Sequence, residues 1–271
     1  MNTGYITLSY WDLAIASVFL LLNGAISIAL HLGLERRLAI SALRMMVQLT
    51  LVGLLLKALF SIASPWLTLL VVCAMLLFAG REIRARQENR LAGLWGYAIG
   101  TGAMTFAGTM VILTALLVLL EPKPWWAPRY ALPLFGMILG NTMNGISLAL
   151  DTLHRTILRE GRAIEAQLLL GATRWQAARP FLRASLRTGF MPIVNAMAAT
   201  GVVSLPGMMT GQILSGVDPQ EAVKYQIMIM FLIAGSTGLG VLLATLGSFL
   251  RLTDERHRLR PERLRSATPG R

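Results

Sequence analysis

Uncharged polar and sulfur-bearing side chains interrupt the apolar stretches of this chain, and they are the residues best suited to handle a metal ion. Asn141 and Asn144 are three positions apart, so they share a helix face, with Met137 close by. Thioethers suit soft metals, and carbonyl oxygens suit hard ones. The pattern favours a path for a weakly held cation and does not name the ion. The full candidate set is Gln48, Met137, Asn141, Met143, Asn144, Asn195, Met208 and Met209.

A structural interpretation of the same residues stays open. Asn side chains form hydrogen bonds between membrane helices, and Met fills irregular gaps in packed cores. The three histidines (His31, His154 and His257) are far apart, and the single Cys73 lies in an apolar run. A conventional His or Cys metal site within one chain is therefore not expected, and the pattern does not identify any metal ligand.

Enzymatic chemistry is not expected. The stretch Gly140–Ser147 comes nearest to a phosphate-binding loop, but it lacks the lysine that reaches the phosphates. No nucleophile, base and orienting residue form a plausible set. Asp12, Glu121 and Asp151 all lie at the ends of apolar spans, whereas ion-coupled carriers commonly use a carboxylate deep in the membrane. A carrier that powers itself is therefore disfavoured, although backbone carbonyls can also bind sodium.

The elements that must position these residues are membrane helices. The chain has 271 residues, of which 55% are hydrophobic and 14% charged, a composition typical of an all-α polytopic membrane protein. Its N-terminus has no basic region before the first apolar run, which predicts a membrane helix and not a cleaved signal. Seven spans are predicted, at about residues 13–32, 39–60, 62–80, 94–120, 133–150, 189–205 and 223–250.

The distribution of positive charge predicts the orientation. The segments after spans one, three, five and seven hold twenty Lys and Arg residues, and the other loops hold four. Because basic loops are retained in the cytoplasm, we expect the N-terminus outside and the C-terminus inside. The net charge of +12 is then explained by topology and contact with anionic lipid, and nucleic acid is not expected as a partner.

Residues 151–187 form the longest polar segment between two spans, with seven arginines and three acids. Arginine is costly in hydrocarbon, so this segment is expected in the cytoplasm. Leu153, Ile157, Leu158, Ile164 and Leu168 recur at helical spacing, Gly171 is a helix stop, and Thr173 with Gln176 forms a capping box. The pattern predicts a helical hairpin that docks on a cytoplasmic partner, or an amphipathic helix on anionic lipid.

Other segments are simpler. Met208–Val217 is expected as a re-entrant or outer-surface segment, and Asp218 is expected to cap a long last helix that begins with Pro219. The basic tail, residues 251–271, is expected to be a solvated cytoplasmic end. The whole chain, residues 1–271, is expected to form one transmembrane domain.

Three motifs carry a family resemblance: LPLFGMILGNTMNG at 132–145, GATRWQA at 171–177 and GVVSLPGMMTGQILSGVDPQEAVKYQIMIMF at 201–231. In these the chain resembles the FetB-type permeases of the UPF0014 family, which are the membrane subunits of bacterial iron-export ABC transporters. Membrane subunits for aluminium tolerance in plants are relatives. The resemblance implies a multi-pass protein of the bacterial inner membrane that exports a metal ion, with iron the expected cargo.

The resemblance also implies partners. A separate, FetA-like ABC ATPase would bind ATP and Mg²⁺, which this chain would not hold, and two permease subunits would form a homodimer. Glu165-Ala166 followed by Gly171 resembles a degenerate form of the loop by which ABC permeases contact their ATPase, but Gln167 replaces the second alanine and the downstream Ile-x-Leu-Pro is absent. The expected coupling residues are Arg155, Arg159, Glu165, Gly171, Thr173 and Arg174. The alternative is an ion-coupled carrier or channel without an ATPase.

Overall fold

The computed structural model describes residues 8–62, 64–254 and 258–266. The fold is all-α except for one two-stranded sheet. Eight α-helices lie in the described residues: α1 Tyr10–Ala29, α2 Glu35–Ile62, α3 Pro65–Ala85, α4 Trp95–Thr114, α5 Pro128–Leu169, α6 Arg174–Ala199, α7 Gly207–Leu214 and α8 Pro219–Leu252. A π-helical turn, Ala115–Leu120, extends α4, and a 3₁₀ turn, Pro261–Arg263, precedes the last strand.

Each of the seven predicted spans overlaps a helix, although the sixth, residues 189–205, extends past the end of α6 at Ala199. Five of the described helices are long and apolar enough to cross a membrane: α1, α2, α3, α4 with its π-helical turn, and α8. The remaining two predicted spans lie on α5 and α6. Each of these helices continues from its apolar half into the polar segment without a break. The predicted hairpin is therefore not a separate insertion, because it consists of the ends of two membrane-length helices.

Local signals in the sequence set several helix ends. The Thr173 backbone N–H donates to Gln176 Oε1 at 2.8 Å, and the Gln176 N–H donates to Thr173 Oγ1 at 3.3 Å, so the predicted capping box of α6 is confirmed. Asp218 Oδ1 accepts from the N–H of Gln220 at 2.9 Å. This confirms that Asp218 caps α8, with Pro219 in the first turn.

Glycines allow α5, α6 and α8 to cross closely. A Cβ on Gly145 would lie 2.9 Å from the carbonyl oxygen of Gly189 and 2.8 Å from the Thr237 side chain. A Cβ on Gly189 would lie 2.8 Å from Val241 and 2.9 Å from the Gly145 carbonyl oxygen. We call the buried residues that surround this crossing the main core; Met104, Ile138, Ile146 and Val241 are fully buried members.

Other glycines of the helices differ in how closely they are packed. Gly100 packs against α3, where a Cβ would come within 2.8 Å of Ile83. Gly140, four residues after Gly136 on α5, has nothing within 4 Å of its Cβ position. The close approach on α5 is instead at Gly145, one and a half turns further along the helix.

A small antiparallel sheet corrects the prediction for the C-terminal tail. Strand β1, Asn89–Leu91, pairs with β2, Leu264–Ser266, with Leu91 opposite Leu264. Leu259 is buried, with 8% of its surface exposed. The expectation of a merely solvated tail is therefore wrong for residues 258–266. Backbone pairing and an apolar anchor hold this segment on the protein.

Helices α1 and α2 form an arm with large exposed apolar faces. Phe19 on α1 is 71% exposed and Leu54 on α2 is 64% exposed. The arm touches the rest of the molecule through α2, where Leu59 is fully buried and the guanidinium of Arg129 lies 6.0 Å from the centre of the Phe60 ring. Such faces are typical of helices that meet lipid or another protein chain.

Candidate functional site

The predicted path residues of α5 lie on its outward face and on its flanks. Asn141 and Asn144 are exposed, and Met137 and Met143 are half-buried against the main core. Asn141 Nδ2 donates to the carbonyl oxygen of Met137 at 2.8 Å, within its own helix. The amide oxygen of Asn141 takes no part in that bond.

The second asparagine has a partner that the sequence did not indicate. Arg86, one residue past the end of α3, donates a hydrogen bond to Asn144 Oδ1. Its Nε lies 3.8 Å from Glu82 Oε2, and Glu82 also forms an ion pair with Arg44 of α2. We call this chain, Arg44–Glu82–Arg86–Asn144, the polar latch, because it joins α2, α3 and α5 through side chains alone.

A cavity of about 320 Å³ lies beside the latch. It is bounded by Arg86, Asn144, Ser147, Asp151 and Pro192. The wall therefore offers a guanidinium, an amide, a hydroxyl and a carboxylate on the side where α5 passes from its apolar to its polar half. This volume is large enough for a hydrated ion or a small polar molecule.

The other predicted path residues lie on separate elements. Gln48 is exposed on α2 and Asn195 is exposed on α6. Met208 and Met209 are half-buried on α7, and Met208 packs against the main core. The described residues contain no group of three or more His, Cys, Asp or Glu side chains placed to hold a metal ion. The path assignment stays a prediction.

The polar hairpin, residues 151–187, has its own apolar interior. Leu153, Ile157 and Ile164 are buried and Leu168 is half-buried, as their spacing predicted, but Leu158 is exposed. With residues of α6, α8 and the tail they form a second cluster, which we call the hairpin core. Its remaining buried members are Leu91, Ala177, Ala178, Leu182, Phe249, Leu252 and Leu259.

The predicted coupling residues separate into two groups. Arg155 and Arg159 lie on the flank of α5, where Arg155 pairs with Asp151 and lies 4.0 Å from Glu88, and Arg159 pairs with Glu160 at 2.9 Å. An open groove of about 630 Å³ runs beside them, bounded also by Asn89, Thr152 and Thr156. These two arginines therefore face the connection between α3 and α4.

The second group surrounds the tip of the hairpin. Gly171 has φ +90°, in the left-handed region that glycine adopts without strain. Leu169 and Leu170, immediately before it, are 89% and 88% exposed. Thr173 then caps α6 and Glu165 is exposed one turn below. The tip therefore presents two bare leucines on a tight, locally defined turn.

Arg174 turns inward from the tip. It is half-buried, and its Nη1 donates to the carbonyl oxygen of Asp254 at 3.2 Å. Its neighbour Trp175 packs on Phe249 of α8, with ring centroids 5.0 Å apart. These contacts anchor the start of α6 on the end of α8 and its continuation.

His154 is a buried residue that sequence reasoning did not single out. Only 1% of it is exposed; Nδ1 lies 2.8 Å from the carbonyl oxygen of Asn89, and Nε2 lies 2.7 Å from Ser248 Oγ. Burial lowers the pKa of His154 to about 4, against smaller opposite effects from the Asn89 bond and the Asp151 charge. A neutral imidazole therefore joins α5, β1 and α8 at the base of the hairpin.

Sequence reasoning missed these residues for identifiable reasons. Arg86 was counted only among the basic residues after the third span, and Glu82 was not considered, although their opposite signs at i,i+4 could have suggested a pair. The bond from Arg86 to Asn144 crosses 58 residues, and no local pattern reports it. No role was predicted for Leu169 and Leu170, which precede the helix stop at Gly171.

Comparison with known proteins gives the family. A profile of the family described as "Uncharacterised protein family (UPF0014)" matches residues 10–252. A UPF0014 membrane protein of Synechocystis is 43% identical over 203 residues, which cover 74% of this chain and 77% of that relative. The Escherichia coli protein named probable iron export permease protein FetB is 31% identical over 252 residues, which cover 92% of this chain and 93% of the relative.

A plant protein is also similar. The Arabidopsis protein named ALUMINUM SENSITIVE 3 is 32% identical over 232 residues, which cover 86% of this chain and 83% of that relative. No solved structure matches the chain. The resemblance indicated by the motifs at 132–145, 171–177 and 201–231 is confirmed, and with five helices able to cross a membrane this chain is a multi-pass membrane protein of the UPF0014 family.

Proposed function

We propose that this chain is the permease subunit of an ABC exporter that moves a metal ion, with iron the favoured cargo, out of the bacterial cytoplasm. A separate ATPase would bind ATP and Mg²⁺ and act on the polar hairpin. The whole chain would form one permease domain in the inner membrane, as a homodimer in contact with anionic lipid. The name of the Escherichia coli relative, probable iron export permease protein FetB, supports iron export.

The hairpin tip is the observation that carries the proposal. Two leucines nearly nine-tenths exposed stand on a turn that glycine and the capping box define. Exposed apolar side chains on a rigid projection are typical of a docking surface. The two helices that meet at this turn, α5 and α6, continue without a break into the predicted spans, so a force applied at the tip would reach them directly.

Part of the predicted path lies on the same two helices. Asn141, Asn144 and the cavity beside the latch are on α5, and Asn195 is on α6. A change in the angle between α5 and α6 would therefore move the candidate path residues relative to one another. This geometry favours transport driven by a partner at the tip over a carrier that works alone.

The test is to replace the tip leucines by charged residues. The L169D/L170D variant is expected to lose co-purification with a co-expressed FetA-like ABC ATPase, because the docking side chains become charged. ATP-dependent Fe²⁺ transport into inside-out proteoliposomes should fall at least tenfold. Leu158→Asp is the matched control, since Leu158 is an exposed hairpin leucine away from the tip.

Two outcomes would contradict the proposal. The first is normal binding and transport by the tip variant. The second is uphill Fe²⁺ transport by the purified chain alone, driven by an ion gradient without any ATPase, which is the result expected of an ion-coupled carrier. Gly171→Pro and Glu165→Arg are expected to behave like the tip variant, because the first cannot adopt a positive φ and the second reverses a charge beside the turn.

A further inference from the structure

We propose that residues 258–266, which we call the C-terminal strap, tie the polar hairpin to the α3–α4 connection and to the end of α8, so that these three segments move as one body. This inference rests on the proposed function and adds a mechanical connection between the helices. A displacement of the hairpin tip by the ATPase would be transmitted to α3, α4 and α8 through the strap, and to α5 and α6 directly.

The first attachment is to the connection between α3 and α4. Strand β2 of the strap pairs with β1 across three residue pairs, from Asn89 with Ser266 to Leu91 with Leu264. Beyond the strand, the N–H of Ala92 donates to the carbonyl oxygen of Arg263 at 2.8 Å. The chain that links α3 to α4 is therefore bonded through its backbone to the strap.

The second attachment is to the hairpin. Leu259 is buried in the hairpin core, and Leu264 packs against the same core. Leu259 Cδ2 would lie 3.7 Å from a Cβ at Gly161, so this leucine rests directly on the polar half of α5. On the α6 side, Arg174 donates to the Asp254 carbonyl oxygen. Both helices of the hairpin thus contact the segment that follows α8.

The third attachment is to the end of α8. The N–H of Arg260 donates to the carbonyl oxygen of Leu252 at 2.8 Å, and Arg263 Nη1 donates to that of Arg251 at 2.6 Å. Asp254 accepts from the N–H and the Nε of Arg258 at 2.8 and 2.9 Å, and from Arg260 Nη2 at 3.2 Å. These bonds hold the start of the strap against the end of α8.

The strap differs from a free basic tail in how its groups are used. A tail attracted to anionic lipid by charge needs neither buried leucines nor paired strands. Here the backbone pairs with β1 while an apolar side chain fills the hairpin core. His154 on α5 also joins these segments, because one of its ring nitrogens contacts Asn89 of β1 and the other contacts Ser248 of α8.

A reversible cross-link tests whether the strap stays attached during transport. Asn89 and Ser266 are register partners, and antiparallel partners stand at the Cα separation that a disulfide requires. The variant N89C/S266C is made in a C73S background to remove the only native cysteine. Oxidised and reduced protein should show Fe²⁺ transport and transport-linked ATP hydrolysis within twofold of each other. Loss on oxidation, restored by reduction, would mean that the strap must open, and would overturn the inference.

A second variant loosens the strap from the hairpin. L259S/L264S removes its apolar anchors, and we expect the ATPase still to co-purify and to hydrolyse ATP while the Fe²⁺ moved per ATP falls at least threefold. The exposed neighbour Arg265→Ala is the control and should transport normally. Adding the oxidised N89C/S266C cross-link to L259S/L264S should recover at least half of the lost transport per ATP. If the strap only stabilised the fold, L259S/L264S would lower the amount of folded protein and leave the Fe²⁺ moved per ATP unchanged.

The outcomes separate this inference from the proposed function. If the unmodified chain neither binds an ATPase nor transports Fe²⁺ with ATP, the proposed function fails. If the unmodified chain is coupled and L259S/L264S transports as much Fe²⁺ per ATP, the strap fails alone. Should L259S/L264S not fold, as shown by its melting temperature in detergent, the oxidised and reduced cross-link still decides the matter.

Discussion

The polar latch places a positive charge on a candidate path residue. Arg86 donates to the amide oxygen of Asn144, the atom that a cation would use. A guanidinium within hydrogen-bonding distance of this oxygen repels a cation bound there by an energy on the order of a few kcal/mol at a protein surface. Glu82 holds Arg86 in place and is itself shared with Arg44. In this conformation the latch therefore opposes binding of a bare cation at Asn144.

Removing the guanidinium should make Asn144 more accessible to a cation. Arg86→Gln is expected to lower the Fe²⁺ concentration for half-maximal ATP-dependent transport by about three- to tenfold, since tenfold corresponds to about 1.4 kcal/mol. Arg81→Gln removes one positive charge from an exposed position on α3, close to Arg86 in the chain. This control should leave the Fe²⁺ concentration for half-maximal transport unchanged. Equal behaviour of the two variants would return Asn144 to a packing role.

The buried His154 predicts a dependence of stability on pH. Its pKa of about 4 in the folded protein lies below its ordinary value of 6.5. Between these two pH values the unfolded chain therefore binds more protons than the folded protein. The contribution of neutral His154 to the free energy of unfolding is fully present above pH 6.5 and is lost as the pH falls toward 4. A difference of this size corresponds to about 3 kcal/mol. Asp151 is the acidic group whose charge partly opposes the shift.

The measurement is the melting temperature of the purified protein in detergent between pH 7.5 and 4.5. The unmodified chain should lose stability steadily below pH 6.5. His154→Gln should melt at a lower temperature than the unmodified chain at pH 7.5, because it disrupts the bonds to Asn89 and Ser248, and its curve should be flatter at acid pH. Parallel curves for the two proteins would show that another group carries the acid sensitivity.

At the scale of the elements, the crossing of α5, α6 and α8 depends on two glycines. Gly145 and Gly189 approach so closely that a Cβ on either one would meet the carbonyl oxygen of the other at 2.9 Å. Backbone atoms cannot move aside as a flexible side chain can, so any substitution must separate the helices. Gly140, on the same helix, has open space around it.

Gly145→Ala and Gly140→Ala should therefore have opposite effects. Gly145→Ala is expected to lower the free energy of unfolding by about 1–3 kcal/mol through overpacking. Gly140→Ala should be neutral or raise it by up to about 1 kcal/mol, because alanine favours the helix and meets no neighbour. Detergent melting curves of the two variants give the comparison. A larger loss of stability in Gly140→Ala would contradict the assignment of the crossing point.

The elements show which features a sequence can predict. The cap of α6 at Thr173, the stop at Gly171 and the cap of α8 at Asp218 were predicted because each signal lies within a few residues. The strap was not, because a three-residue strand has no periodic signal and Leu259 is buried in a cluster that draws on α5 and α6 as well as on α8. The latch is likewise a contact between distant segments, so Asn144 was predicted without its partner Arg86.

At the scale of the whole molecule, three of the four basic segments meet at one end of the bundle. The connection that holds β1, the polar hairpin and the strap share the hairpin core and the two-stranded sheet. This convergence is what the charge pattern requires if those segments lie on a common side of the membrane. The placement of that side in the cytoplasm, and the count of seven crossings, stay predictions from charge and hydropathy.

Single cysteines introduced into a C73S background can decide the orientation. Leu169→Cys lies at the exposed hairpin tip, where α5 ends. Lys123→Cys lies in the exposed loop between the π-helical turn and the start of α5, at the opposite end of that helix. A membrane-impermeant maleimide should label Lys123→Cys in intact cells and should label Leu169→Cys only after the membrane is opened. Labelling of the tip from outside would place it beyond the reach of a cytoplasmic ATPase and would remove the mechanical basis of the proposed exporter.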